Sequence, residues 1–273
     1  MYYKSYLPGP PLREIVRNYT IIQFQFRKDA PVPSKQRSPK PEQKIVFYLE
    51  DLPKFFDAGK GEEHIPSPVT IFSHQRDTKT IRMPSRFSAF IIFLQPGVLH
   101  RFTLLPMAEL LHNPCDAEMF FGTGLRLISE QLADAANHAQ MISIVEQFLL
   151  RYCGKLVDHN SIDQIALHLL GDPTSFSLDA IARQACLSTK QFYRRFTERI
   201  GISPKLFSRL SRFNHAYRYK IAHPGLSWTA VANEFHYTDY HHLEKEFKEF
   251  TSLTPENWTK VHLTSPERIL NLR

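Results

Sequence analysis

The feature that most constrains this chain is a duplicated pair of short helical segments in its C-terminal third. The first copy reads SLDAIARQACLSTKQFYRRF over residues 177–196, and the second reads SWTAVANEFHYTDYHHLEKEF over residues 227–247. Each copy opens with a serine that can cap a helix, continues with apolar positions at helical spacing, breaks, and resumes as a second helix. The repeat therefore predicts two helix-turn-helix units in an all-α C-terminal domain.

In the first unit, the apolar spacing separates an inner face from an outer one. Ile181 and Ala182 lie on the inner face of the first helix, and Phe192, Phe196 and Ile200 recur every four residues along the second. The outward positions of the second helix are basic or hydrogen-bonding, namely Lys190, Gln191, Tyr193 and Arg194. Such side chains near a helix N-terminus suit the major groove of duplex DNA, and a solvated basic face is the plainer alternative.

The second unit repeats this arrangement with a more acidic outer helix. Its outward positions are Tyr240, His241, His242 and Lys245. Three glutamates lie on the same helix: Glu244, Glu246 and Glu249. Because carboxylates oppose attraction to phosphate, we expect this unit to bind the DNA backbone less strongly than the first.

Between the units, Ser203 and Pro204 predict the start of a long helix that ends near Ala222. At about 1.5 Å per residue this helix spans roughly 28 Å, close to the roughly 34 Å between successive major-groove faces. It could therefore hold two reading helices on one side of a duplex. The formal net charge of +7 favours an anionic partner such as DNA, although a basic protein without such a partner would carry the same charge.

These residues resemble the AraC/XylS family of transcription regulators over about residues 175–258. The pattern of the first unit is matched by Ala182, Ser188, Phe192, Arg194 and Phe196, followed by GISP at 201–204 and Phe207. The pattern of the second unit is matched by Asp239, Leu243, Lys245, Phe247, Thr254 and Pro255. The resemblance implies two units that bind adjacent major grooves. The family's base-reading positions fall on Lys190, Tyr193 and Arg194, and on Tyr240, His241, His242 and Lys245.

Three positions of the second unit depart from the family pattern. His236 and Ser252 each stand where glycine is common, and Lys245 stands where arginine is common. Histidine tolerates the left-handed backbone conformation better than most residues do. Lysine lacks the planar fork with which arginine binds a base through two hydrogen bonds. The departures affect the base contacts of the second unit more than its fold.

The N-terminal half predicts strands followed by helices. Short runs rich in β-branched and aromatic residues occupy residues 19–26, 44–49, 69–74 and 87–94, with proline and glycine between them. Residues 118–136 and 140–152 show helical spacing instead, and their apolar faces favour either cover for the strands or pairing with a second copy. The basic, proline-rich segment 30–41 is expected to be a mobile, solvated loop.

The predicted fold is therefore α+β. Residues 1–155 form a β-rich domain with flanking helices, residues 156–171 a linker, and residues 172–273 an all-α domain of two helix-turn-helix units that folds alone. The first domain resembles the small β-barrel sensor domains that precede such DNA-binding domains. This resemblance implies a cupin-like barrel and effector binding, without naming the effector.

No residue pattern indicates catalysis or a metal. The N-terminal histidines are scattered and lack an HxH pair with a following glutamate: they are His64, His74, His100 and His112. The cysteines Cys115, Cys153 and Cys186 lie far apart and form no CxxC pair. We therefore expect no cofactor, no metal and no enzymatic activity, and we assign these side chains to packing or the surface.

The sequence also shows no signal peptide and no run of about 18 apolar residues, so a cytoplasmic location without a membrane partner is expected. The expected partners are double-stranded DNA, a small-molecule effector of partly apolar character, the transcription machinery and a second copy of the chain. The predicted function is sequence-specific regulation of transcription under effector control. The alternative is an architectural or partner-dependent DNA-binding protein whose N-terminal domain only dimerises.

Overall fold

The computed structural model describes residues 1–273 except 28–30, 58–60, 76–77, 111–113, 176, 271 and 273. His112 and one end of the segment 30–41 lie outside the described residues. The strands are β1 (Tyr2–Tyr6), β2 (Val16–Gln25), β3 (Ser34–Arg37), β4 (Gln43–Tyr48), β5 (Lys54–Asp57), β6 (Glu62–His64), β7 (Val69–Phe72), β8 (Lys79–Arg82), β9 (Arg86–Leu94) and β10 (Cys115–Asp116).

The helices of the first half are α1 (Val98–Thr103), α2 (Glu118–Phe121), α3 (Gly124–Ala133) and α4 (His138–Cys153). Those of the second half are α5 (Ser161–Gly171), α6 (Leu178–Gln184), α7 (Thr189–Ile200), α8 (Pro204–Ala222), α9 (Trp228–Glu234), α10 (Tyr240–Thr251), α11 (Pro255–Leu263) and α12 (Pro266–Ile269). The α+β prediction, with a sheet-rich N-terminal domain and a helical C-terminal domain, is confirmed. None of the helices described here is both long and apolar enough to cross a membrane.

The N-terminal strands form two antiparallel sheets. The larger sheet has the order β1-β2-β9-β4-β7-β10, and the smaller has the order β3-β8-β5-β6. The predicted loop over 30–41 is partly wrong, because Ser34–Arg37 pairs with β8 as an edge strand of the smaller sheet. Its basic residues therefore have fixed positions beside the sheet.

The central strands of the larger sheet are buried on both faces. In β4, Ile45 and Phe47 belong to the core beneath the helices, whereas Val46 and Tyr48 belong to an apolar cluster on the opposite face. This division follows from the two-residue side-chain period of a strand. Burial on both faces explains why these strands appear in the sequence as continuous apolar runs rather than as alternating ones.

The helices α3 and α4 cover one face of the larger sheet. Their apolar stripes are buried in the same core as the strands: the residues are Leu125, Ile128, Leu132, Val145, Phe148 and Leu149. These stripes were the reason to expect a dimer through residues 118–152. Because they are buried within the chain itself, a dimer would need another surface.

The C-terminal helices form a second apolar core around α8, which is 19 residues long and begins and ends where predicted. Serine caps precede α6, α7 and α9, and each accepts a hydrogen bond from the helix N-terminus, as Ser177 does from the Ala180 N–H and Ser227 from the Ala230 N–H. The predicted inner positions Phe192, Phe196 and Ile200 are fully buried. The caps and the spacing thus fix the helix boundaries locally, and packing against α8 fixes their arrangement.

The structure differs from the prediction of a linker over residues 156–171. Residues 161–171 form α5, and Ile162, Ile165 and Leu169 are buried in the C-terminal core. Asn160 caps this helix, and Asp163 returns a hydrogen bond to the Asn160 N–H. The apolar residues of 162–169 recur at the spacing of an amphipathic helix: they include Ile162, Ile165, Ala166 and Leu169. This spacing was the signal from which α5 could have been predicted.

A buried ion pair joins α5 to the second helix of the first unit. Arg199 donates from Nε and Nη2 to the two carboxylate oxygens of Asp163, both at 2.6 Å, and also to the Asp158 carbonyl at 3.1 Å. Gly97, directly before α1, has φ +81°, and a Cβ there would lie 1.8 Å from the Asp163 carboxylate. The ion pair therefore lies where the sensor domain touches the first DNA-binding unit.

Other contacts extend this junction. His74, which follows β7, is buried with its ring edge-on to Phe207 of α8, at 5.6 Å between centroids. Burial lowers the pKa of His74 to about 3, so the ring is neutral. Thr78 donates to the Phe250 carbonyl at 2.9 Å, and Asn214 donates to the Pro39 carbonyl at 3.3 Å. The two domains therefore meet along much of α8 and at the end of α10.

Breaking the buried ion pair should destabilise the chain strongly. Asp163→Asn leaves the Arg199 guanidinium buried without its counter-charge, and we expect a loss of about 3–5 kcal/mol in the free energy of unfolding. Urea unfolding followed by circular dichroism measures this loss. Arg126→Ala is the matched control, because it removes an ion pair with Glu118 that lies at the surface, and its midpoint should stay near that of the wild type. Equal midpoints for the two variants would contradict the structural role of Asp163.

Candidate DNA-binding surface and interdomain cavity

The second helix of the first unit, α7, presents its predicted reading residues to solvent. Lys190, Gln191, Tyr193 and Arg194 are all exposed in its first two turns. Gln191 also caps the helix, because its side-chain oxygen accepts a hydrogen bond from the Ser188 N–H at 3.1 Å and completes a capping box. Lys190, Tyr193 and Arg194 have no such local hydrogen bond from the ends of their side chains among the described contacts, so they remain available to a duplex.

The turns inside both units use the same left-handed backbone position. Cys186 has φ +54° in the first turn, and His236 has φ +55° at the corresponding place in the second. Ser252 ends α10 with φ +60°, as Gly201 ends α7 with φ +100°. The non-glycine residues at these places therefore keep the turn geometry, at some conformational cost.

The second helix of the second unit, α10, presents fewer unengaged groups. Asp239 caps it and accepts the His242 N–H at 2.8 Å, while the His242 Nδ1 lies 3.3 Å from the Thr238 hydroxyl. The Tyr240 hydroxyl lies 3.2 Å from the Glu256 carboxylate on α11. His241 and Lys245 are exposed. Of the four predicted residues, these two are the ones that project from the helix without a side-chain partner among the described contacts.

The glutamates of α10 are largely neutralised from within the fold. Glu246 is buried, and its carboxylate accepts hydrogen bonds from Arg209 and Arg212 of α8 at 3.0 Å and from the Tyr237 hydroxyl at 2.7 Å. Glu249 also pairs with Arg209. These carboxylates belong to the α8–α10 contact rather than to the outer face, which weakens the expectation that they repel phosphate.

A cavity of about 920 Å³ lies between the sheets of the sensor domain and the C-terminal helices. One end is apolar and is lined from the strands by Ile22, Val46, Tyr48, Phe87 and Ile91. The side formed by the C-terminal helices is lined by Leu170, Tyr217, Ile221, Trp258 and His262. The cavity therefore contacts α8 and α11 directly, in addition to the strands of the N-terminal domain.

Positive charge is concentrated on one wall of this cavity. That wall carries Arg17, Lys35, Arg37, Lys40 and Lys44, together with Glu42. Burial alone would raise the pKa of Glu42, but the surrounding cations lower it to about 2. Glu42 lies 3.3 Å from Arg17 and 3.8 Å from Arg37, so it is a carboxylate shared between two guanidinium groups.

Lys44 is the most deeply buried cation of this wall, with 6% of its surface exposed. Its Nζ lies 5.2 Å from the ring of Phe72 and 5.7 Å from the ring of Phe93. Within the described part of the chain no carboxylate forms an ion pair with it. Burial, with the nearby Arg37 adding to it, lowers the pKa of Lys44 well below its ordinary value. An anion bound beside Lys44 would stabilise its charged form.

Sequence reasoning missed this wall. Lys35, Arg37 and Lys40 fall within the segment that was assigned to a solvated loop. Lys44 directly precedes the apolar run 45–49, and a lysine in a strand that continues as an apolar run was the available signal. The strand phenylalanines divide between the two faces of the larger sheet: Phe47 and Phe90 belong to the core beneath the helices, and Phe24 belongs to the cluster on the cavity side.

Two of the cysteines have environments that oppose nucleophilic chemistry. Burial raises the pKa of the thiols of both Cys115 and Cys153, which disfavours the reactive thiolate. Among the described residues, no cluster of three or more histidine, cysteine, aspartate or glutamate side chains could hold a metal ion. The observed environments are those of packing residues.

Comparison with known proteins identifies both halves. Residues 181–260 match the family model of a helix-turn-helix domain, and residues 4–116 match that of a domain of unknown function, DUF6597. A Haemophilus influenzae protein described as an uncharacterized HTH-type transcriptional regulator is 26% identical, and the match covers 56% of this chain and 56% of that protein. This chain therefore spans little more than half the length of the curated relative.

Solved structures share the fold at low sequence identity. ToxT from Vibrio cholerae bound to (E)-4-(8-methylnaphthalen-1-yl)but-3-enoic acid has a TM-score of 0.50 at 10% identity, over 89% of this chain and 99% of that one. ToxT from the same species bound to an unsaturated fatty acid has a TM-score of 0.49 at 10% identity, over 88% and 93%. The predicted helix-turn-helix units are confirmed for residues 181–260, and this match and the Haemophilus influenzae relative support the resemblance to AraC/XylS regulators.

Removing the Arg194 side chain should impair sequence recognition more than general DNA binding. If Arg194 reads a base through two hydrogen bonds, Arg194→Ala costs about 1–3 kcal/mol on the preferred site and relaxes selectivity at one base pair. The preferred site is first enriched from a random duplex library with the wild-type chain, and affinities are then compared on that site and its single-base variants. Arg126→Ala, in the sensor domain, is the matched control. An equal loss on every sequence would make Arg194 a phosphate contact instead.

Proposed function

We propose that this chain regulates transcription by binding a specific DNA sequence through both helix-turn-helix units, under the control of an effector held in the interdomain cavity. The observation that carries the proposal is the position of the cavity, whose walls include α8 and α11. The effector would thus touch the helices that position both reading helices. The other proposed partners are a second copy of the chain and the transcription machinery. We assign no contact surface for either of them on the described residues.

The geometry of α8 supports simultaneous binding by both units. Its 19 residues span roughly 28 Å, and each unit packs against it. Adjacent major-groove faces on one side of a duplex lie roughly 34 Å apart. The reading residues proposed are Lys190, Tyr193 and Arg194 on α7, with His241 and Lys245 on α10. Gln191, Tyr240 and His242 would first have to leave their present hydrogen bonds.

The charge and shape of the cavity favour an acid with an apolar body as the effector. The strands line the cavity with apolar side chains, and the basic wall adds five cations and one glutamate. Trp258 also lines the cavity, and its buried indole N–H has no acceptor among the described residues. A ligand carboxylate near Lys44 would supply a counter-charge that this lysine lacks. The acid bound by ToxT in a structure of similar fold is consistent with this class of ligand.

The alternative function is a DNA-binding architectural protein whose N-terminal domain only dimerises. Two observations weigh against it. The apolar stripes of α3 and α4 are buried within the chain, and a cavity of about 920 Å³ would serve no purpose in a domain that only assembles. Catalysis by a thiolate of Cys115 or Cys153 is disfavoured, because burial raises the pKa of both thiols.

A C-terminal fragment should bind duplex DNA without the sensor domain, provided that it includes α5. A fragment of residues 157–273 retains the Asp163–Arg199 pair and the apolar residues of α5, so we expect it to fold. A fragment of residues 172–273 loses them and should have a clearly lower unfolding temperature. Calorimetry measures stability, and fluorescence anisotropy with labelled duplex measures binding. Affinity should fall steeply as salt concentration rises, because phosphate contacts release counterions.

The isolated segment 1–155 is the control for the fragment experiment, and it should leave duplex mobility unchanged. A folded 157–273 fragment that binds no duplex even at low salt would refute the DNA-binding assignment. Equal stability of the two C-terminal fragments would instead contradict the placement of α5 in the C-terminal core.

An apolar acid should stabilise the full chain in a manner that depends on Lys44. Decanoate, at concentrations below its micelle threshold, should raise the melting temperature, because a ligand that binds only the folded state stabilises it. Decanol, which lacks the charge, should have a much smaller effect. Lys44→Met keeps the volume and removes the charge, so it should abolish the response to decanoate, whereas Lys4→Met, at an exposed position of β1, should leave it intact. A response that survives Lys44→Met would place the acid elsewhere.

A further inference from the structure

We infer that residues 265–270 together with Leu272 cover part of the surface beside the sensor cavity, and that an effector displaces them when it binds. This inference rests on the proposed effector function of the same cavity. The segment follows α11 and consists of the short helix α12 and the residues after it, and we call it the C-terminal segment. It leaves the helix-turn-helix domain and returns to the sensor domain.

The apolar part of the C-terminal segment packs against side chains that also line the cavity. Leu270 and Leu272 contact the apolar cluster on the cavity side of the larger sheet. Five members of that cluster line the cavity itself: Ile22, Val46, Tyr48, Phe87 and Ile91. A ligand chain that extends beyond the open part of the cavity along this cluster would therefore compete with the two leucines for the same side chains.

The charged part of the segment uses the basic wall. Glu267 is buried, with 2% of its surface exposed, and its carboxylate pairs with Lys35 of β3. Both residues line the cavity. The segment thus places a carboxylate on the basic wall and two leucines on the apolar wall. This is the same combination of groups that the cavity chemistry favours in an effector.

The backbone of the segment is held in a single turn that supports this placement. Ser265, Pro266 and Glu267 are buried, and the Leu270 and Leu272 N–H groups donate to the Pro266 carbonyl at 3.0 Å and the Glu267 carbonyl at 2.8 Å. Ile269 points the other way, with 51% of its surface exposed. The burial of three consecutive residues, with Ile269 turned to solvent, indicates that the segment packs in one specific orientation.

The segment is also connected to the second reading helix. It continues directly from α11, whose Trp258 and His262 line the cavity and whose Glu256 accepts the hydroxyl of Tyr240 on α10. Displacing the segment would release the far end of α11. An effector that exchanges with the segment would therefore act on the second unit through α11, in addition to any effect through α8.

The competition can be measured as a gain in affinity when the segment is weakened. Decanoate binding is compared by isothermal titration calorimetry for the wild-type chain, a chain ending at Thr264, and the double variant Leu270→Ser with Leu272→Ser. If the segment is displaced in about one in ten unliganded wild-type molecules, both variants should bind decanoate about tenfold more tightly than the wild type. Ile269→Ser, the same change at an exposed position of the same segment, should bind like the wild type.

A second measurement does not depend on the ligand. Hydrogen exchange should show protected amides at Leu270 and Leu272 in the unliganded wild-type chain, and protection should be lost in the double serine variant. Added decanoate should also remove this protection in the wild type. Glu267→Gln, which keeps the shape of the side chain and removes its charge, should give intermediate protection and an intermediate gain in affinity.

The outcomes separate this inference from the proposed function. Unprotected amides in the unliganded wild type, or unchanged decanoate affinity in both weakened variants, would overturn the displacement inference alone. No decanoate binding by any of the proteins would overturn both the acid class of effector and its exchange with the segment. Sequence-specific DNA binding is measured separately with the wild-type chain. Its absence would refute the regulator function and would leave the inference about the C-terminal segment unchanged.

Discussion

The buried pair of Asp163 and Arg199 is the interaction on which the arrangement of the two halves depends. Arg199 lies in the last turn of the first reading helix, Asp163 lies in α5, and the backbone of Gly97 lies against the same carboxylate. Two charges taken out of water are tolerated because both carboxylate oxygens and the guanidinium have partners. Since three elements from both domains meet at this pair, the sensor domain cannot move far without disturbing the helix that carries Lys190, Tyr193 and Arg194.

A second constraint follows from the double burial of the larger sheet. One face packs beneath α3 and α4 and forms a closed core, while the other face forms a wall of the cavity. The closed face provides rigidity, and the open face leaves apolar surface that needs cover. In this structure the cover is shared by the smaller sheet, α8, α11 and the C-terminal segment. The same surface therefore serves as a candidate ligand site and as an interface with the DNA-binding domain, which is the arrangement that coupling between the two requires.

The two reading helices differ in how freely their residues can reach DNA. On α7, three of the four proposed residues project without local partners. On α10, Tyr240 and His242 are engaged by Glu256 and Thr238, and Glu246 is held by Arg209 and Arg212. Use of Tyr240 and His242 by the second unit would therefore require local rearrangement near α11, whereas in the first unit only Gln191 would have to leave a hydrogen bond. This asymmetry places the adjustable part of the reader beside the cavity and the C-terminal segment.

The sequence by itself determined the helix-turn-helix domain almost completely, because its information is local: serine caps at 177, 188, 203 and 227, apolar spacing at 3.6 residues, and a repeat that states the pattern twice. It also indicated the strands. It did not determine the role of α5, the fate of the apolar faces on α3 and α4, or the basic wall, because each depends on which distant segment supplies the cover or the counter-charge. Lys35 and Glu267 are separated by more than two hundred residues, and only the tertiary structure brings them together. The same holds for Asp163 and Arg199, whose charges look like surface charges until the fold buries them against each other.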